Sequence, residues 1–111
     1  MKEEISFADW EKLDLVVGKI VEVEDIENAD KLYKLGVDLG VEKRTLVAGL
    51  KKHYSKDELI GKKCIILANL EAKELKGIES KGMILAAVNE DESKIILISP
   101  EKDIEVGSKI R

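Results

Sequence analysis

The chain has 111 residues, the size of one domain, and its 44% hydrophobic but only 4% aromatic content makes the core an aliphatic one of Ile, Val and Leu. No apolar run reaches the roughly 18 residues of a membrane-spanning helix, and a single cysteine, Cys64, excludes an internal disulfide or a cysteine-based zinc cluster. The net charge of −4 is unevenly placed: residues 1–30 carry 3 basic and 10 acidic side chains, whereas residues 31–81 carry 12 basic and 7 acidic.

The first segment, Met1-Lys2-Glu3-Glu4, is acidic and lacks the apolar centre of a signal peptide, so a cytoplasmic protein is expected. Ser6 followed by Asp9 resembles a capping box and predicts a short helix, with Phe7 and Trp10 on one face as a lid. Leu13 to Ile26 reads as a long strand, with a bend or bulge expected at Gly18. After a turn at residues 27–30, Leu32, Leu35, Val37 and Leu39 mark a second strand, and Arg44 to Ala48 a third. Ser55 to Gly61 fits an N-capped helical turn stopped by glycine. Lys62 to Leu70 is a fourth strand, Met83 to Val88 a fifth, and Lys94 to Ile98 a further short one before the tail.

This order predicts an all-β domain over residues 1–111. It is a five-stranded OB-fold barrel with a short helix between strands three and four, an N-terminal helix and a C-terminal extension.

Catalysis has little to work with. His53 is the only histidine, Cys64 lies among Ile and Leu as an inert thiol, and no glycine-rich phosphate loop is present. The expectation is therefore a non-enzyme, without metal or cofactor. Binding has more. Between the fourth and fifth strands, Lys73, Lys76 and Lys81 lie within nine residues, on a loop shaped by Gly77 and Gly82. Ammonium groups there suit phosphates, while Asn69 and Ser80 can hydrogen-bond sugar hydroxyls or base edges. Lys31, Lys34 and Arg44 lie on or beside strands two and three, the usual nucleic-acid face of this barrel. Only Tyr33 is at hand for stacking, which favours a folded RNA read by shape over a single strand.

Six local signatures carry a resemblance to a known family. They are Asp14-Leu15-Val16-Val17-Gly18-Lys19-Ile20, Asn28-Ala29-Asp30-Lys31-Leu32-Tyr33, Val37-Asp38-Leu39-Gly40, Arg44 to Leu50, Ala68-Asn69-Leu70 and Gly77-Ile78-Glu79-Ser80-Lys81-Gly82-Met83. In this order the chain resembles, from about Phe7 to Ile110, the structure-specific tRNA-binding domain. That domain occurs free-standing and appended to methionyl-tRNA synthetases. The resemblance implies a homodimer that binds folded tRNA without reading its sequence, assisting a synthetase, methionyl-tRNA synthetase above all, in trans. It implies that Asn69, Ser80, Gly82 and Met83 form the signature of the RNA-binding loop, with Lys73, Lys76 and Arg44 at matching positions. A related branch with chaperone-like activity supplies the alternative, a protein-interaction module. The chain departs from the family pattern at Val16, often arginine there; at Ile26-Glu27, where His-Pro is common; at Ala72, usually proline; and at Glu74, usually basic. Lys81 stands where the family commonly has a polar or acidic residue.

Overall fold

The structure, a computed structural model, describes all 111 residues. Ser6 caps α1 (Phe7–Glu11) by accepting the Asp9 N–H at 3.1 Å. Only this half of the expected capping box forms, because the Asp9 carboxylate is too short to reach back and pairs with Lys12 at 2.9 Å. Trp10 packs against Leu15, Val17 and Ile65, whereas Phe7 is 72% exposed and takes no part in the expected lid. In five residues the helix turns only one flank to the sheet.

A five-stranded antiparallel sheet follows. Its strands are β1 (Leu15–Ile26), β2 (Ala29–Asp38), β3 (Lys43–Ala48), β4 (Lys63–Leu67) and β7 (Met83–Ile84), in the order β3-β2-β1-β4-β7. The helical turn α2 (Lys56–Leu59) lies between β3 and β4 as predicted, with a complete capping box from Ser55 and Glu58. Two hairpins complete the chain: β5 (Lys73–Leu75) with β6 (Ile78–Ser80), and β8 (Ala86–Val88) with β9 (Ile95–Leu97).

The bend expected at Gly18 lies elsewhere. The β1–β2 register slips between Ile20 and Glu22, around Val21. Gly18 serves close packing instead: a Cβ there would stand 2.7 Å from Val37 Cγ1 and 3.0 Å from Ile66 Cγ1. The predicted fifth strand is also split. Leu85 donates its N–H to Ile65 of β4, but its carbonyl accepts from Ile98, so the chain changes partners there. The ladder consequently does not close into the expected barrel. β3 is instead tied to β6 and the residue after it, through Val47 N–H to Ser80 Oγ and Lys81 N–H to Thr45 O, each 3.0 Å.

The main core lies inside the curled sheet, around Ile20, Leu35, Val37, Leu46, Leu59 and Ile66, all at most 1% exposed. Burying each of these side chains contributes about 1.5–3 kcal/mol. Cys64 belongs to this core, and burial pushes its thiol up to about 12, which makes it unreactive. A smaller core, Leu15, Val17 and Ile65, lies on the outer face of β1 and β4 under Trp10 and Ile110. The C-terminal extension reaches it along β1, through Val17 N–H to Ser108 O and Ile110 N–H to Leu15 O, both 2.9 Å.

Candidate nucleic-acid interface

The segment read as a loop is a β-hairpin. Lys73 faces Ser80, Glu74 faces Glu79 and Leu75 faces Ile78. Its two-residue turn is Lys76-Gly77, both with positive φ (52° and 80°), as a primed hairpin turn requires. Glycine adopts this conformation freely, but a lysine there costs about 1–2 kcal/mol, so the fold holds a cation at the hairpin tip against local preference. Side-chain alternation puts Lys73, Leu75, Ile78 and Ser80 on the inner face and Glu74 and Glu79 on the outer. Two carboxylates directly opposite repel one another. Lys81 relieves this by reaching Glu79 at 3.4 Å.

Three of the residues singled out in the sequence anchor the hairpin rather than project from it. Ser80 is 5% exposed, and its Oγ accepts the Val47 N–H, tying β6 to β3. Arg44 is clamped to Glu42 through Nη2 at 2.7 Å and Nε at 3.1 Å, while Nη1 donates to the carbonyls of Ala68 and, at 3.5 Å, Lys81. It thereby joins β3 to the entry and exit of the hairpin segment. Asn69 accepts the Asp14 N–H at 2.9 Å and donates to Lys12 O at 2.6 Å, so it fixes the chain between α1 and β1.

The remaining residues fall into two adjoining concavities, apart from Lys76 at the hairpin tip and Lys31. Lys34, Lys43, Arg44 and Lys81 line a basic hollow of about 510 Å³ with Gly77 and Glu79. Lys73, Ser80 and the half-exposed Met83 border an apolar groove of about 380 Å³ floored by Val47, Leu50, Ile84 and Ile95. Lys31 stands apart at the start of β2, where its carbonyl accepts from Lys51. Tyr33 offers no stacking surface, since it is buried and its hydroxyl donates to Tyr54 O at 2.8 Å. Lys43 was not singled out in the sequence, where it sits in a hairpin connection. Only the register, which sets it opposite Asp38 on the same sheet face as Lys34, brings it to the site.

Three cations here lean on a neighbouring acid: Lys34 on Glu24 at 3.6 Å, Arg44 on Glu42, Lys81 on Glu79. The lysine pairs are solvent-exposed and worth little, so a phosphate can displace the carboxylate at small cost. Lys43, Lys73 and Lys76 carry no ion pair at all. The arrangement is a cluster of cations, three of them without an ion-pair partner, with an apolar groove beside it.

Residues 15–109 match the family described as "Putative tRNA binding domain". The chain belongs to this tRNA-binding domain family. It is 56% identical over 109 residues, 98% of its length, to methionine–tRNA ligases of Pyrococcus horikoshii and Thermococcus onnurineus. The chain spans about 15% of the length of those relatives, and it corresponds to a tRNA-binding module, not a catalytic domain. Among solved structures, a MetRS-related protein from Pyrococcus horikoshii superposes with a TM-score of 0.92 at 36% identity, covering 99% of this chain and 100% of that one. The chaperone CsaA from Bacillus anthracis str. Ames superposes at 0.88 with 25% identity, covering 98% and 100%.

Proposed function

We propose that this chain binds folded tRNA through the β5–β6 hairpin and the basic hollow beside it. The observation that carries the reading is the hairpin itself. A tRNA-binding domain here holds Lys76 at its tip in a left-handed conformation, with Lys73 and Lys43 unpaired nearby. Recognition rests on backbone phosphates and shape rather than on stacked bases, in keeping with the burial of Tyr33. The chain acts in the cytoplasm as a homodimer and assists methionyl-tRNA synthetase in trans, raising the effective hold of that enzyme on tRNA. The similarity to methionine–tRNA ligases and to a MetRS-related protein supports that partner.

The test is tRNA binding across a salt series with an unstructured single-stranded RNA as control. Exchange of Lys73 and Lys76 for alanine should flatten the slope of log K against log salt by about 1.4–1.8, given 0.7–0.9 per phosphate contact. Full affinity in that double variant, or equal affinity for the single strand, contradicts the reading. A second reading, a chaperone-like module, is favoured by the apolar groove beside the hairpin together with the likeness to CsaA. In that case an unfolded polypeptide competes with tRNA or binds in its place.

A further inference from the structure

A second cationic concavity lies away from the hairpin. Lys19, Lys62, Lys63 and Lys102, with Ser99, line a hollow of about 550 Å³ that contains no hydrophobic side chain. Its acids are Glu101 and Asp103, so the lining is net positive on a chain of net charge −4. At its centre, Lys19 and Lys63 face each other directly across β1 and β4. Like charges so placed disfavour the sheet, and a fold gains nothing from them. Lys63 is answered by Asp103 at 2.8 Å and by the Ile104 carbonyl. Lys19, Lys62 and Lys102 have no ion-pair partner.

The register connects this hollow to the first. Lys63 faces Lys19, Lys19 faces Asp38, and Asp38 faces Lys43, which lines the basic hollow by the hairpin. Directly opposed side chains share one face, so this row crosses three inter-strand spacings, about 14 Å, on the outer surface of the sheet. The one acid in the row, Asp38, is engaged by the Gly40 N–H at 2.8 Å. Further along β1, Glu22 and Glu24 face the same side, and Glu24 is covered by Lys34. They leave the lysine row as the cationic path between the two hollows.

We propose that the Lys19–Lys62–Lys63–Lys102 hollow is a second phosphodiester-binding surface, joined to the hairpin site by the lysine row. It grips a stretch of RNA backbone that the hairpin does not reach. The proposal rests on the RNA-binding reading above and adds a location that reading does not need.

The experiment is the salt dependence of tRNA binding by a K19Q/K62Q/K102Q variant, beside wild type and the Lys73/Lys76 alanine variant. A control with the same charge loss elsewhere, K2Q/K12Q/K94Q, separates location from net charge. The hollow variant should bind at least tenfold more weakly at 0.1 M salt and flatten the salt slope by about 2–3. Its melting temperature should hold or rise, since Lys19 no longer opposes Lys63. Wild-type affinity and slope in the hollow variant, with the hairpin variant impaired, overturn this proposal and leave the RNA reading standing. An equal loss in the control also overturns it. Failure of the wild-type protein to bind tRNA at low salt overturns both. Titration with inorganic phosphate, followed by NMR of the lysine ammonium groups, tests the other source of the same chemistry. Saturation of these lysines by phosphate at millimolar concentration, without an effect of their exchange on tRNA binding, assigns the hollow to a free anion instead.

Discussion

Exchange of Ser80 for alanine distinguishes a hydroxyl that reads RNA from one that builds the site. Ser80 Oγ accepts the Val47 N–H at 3.0 Å, and its residue is almost wholly buried. Alanine removes the acceptor and leaves an amide of the edge strand β3 without a partner. An orphaned buried donor costs about 1–3 kcal/mol. For a domain of this size each kcal/mol lowers the melting temperature by about 4 °C, so a fall of about 4–12 °C is expected in a calorimetric scan. At a temperature where both proteins are fully folded, tRNA affinity should fall only modestly, through loosening of the hairpin. A variant that melts within a degree of wild type but binds tRNA far more weakly refutes the reasoning, and the hydroxyl then contacts the RNA itself.

Other outcomes follow from the same geometry. Asn69→Ala removes both bonds to the Lys12–Asp14 connection, so α1 should loosen, seen as faster hydrogen exchange at the Asp14 amide and a loss of about 1–2 kcal/mol. Gly82→Ala is strained on two counts, φ of +130° and a Cβ 3.0 Å from Leu67 O, and chemical denaturation should report a loss of about 1–3 kcal/mol. Asp25 bridges Lys56 at 2.9 Å and Lys51 at 3.0 Å, and these hydrogen bonds hold its carboxyl below the usual range. A depressed folded value means stability that is present above the unfolded pKa and lost as pH falls through the folded one. Stability measured from pH 6 down to pH 2 should therefore decline less steeply in Asp25→Asn than in wild type. Cys64 should resist thiol reagents in the native protein and react only on unfolding.

Regular pattern made much of this molecule legible in its sequence. Alternation in Leu35, Val37 and Leu39 marks β2, and Ser55 as a cap with Gly61 as a stop marks α2, because period and capping are local properties. The β5–β6 hairpin leaves no mark in the sequence, since three-residue strands carry too little pattern to register. Leu85 gave no sign that it changes sheets, for that depends on Ile98, distant in sequence. The lysines of the interface were visible as charges, but their order was not. Lys73 and Lys76 come together by chain proximity alone, whereas Lys43 reaches Lys34 and Lys81 only through strand pairing. The backbone partners of Arg44, Asn69 and Ser80 are invisible in the sequence, because they come from strands and turns distant along the chain.

The small core on the outer face of β1 and β4 takes Trp10 from one end of the chain and Ile110 from the other. Both extremities are thus moored at a single berth. Loss of either uncovers the apolar surface that the other leans on, so trimming at one end should be felt at the opposite one. Any polypeptide fused before α1 or after Ile110 would depart from the same flank of the domain, as from a two-pronged plug.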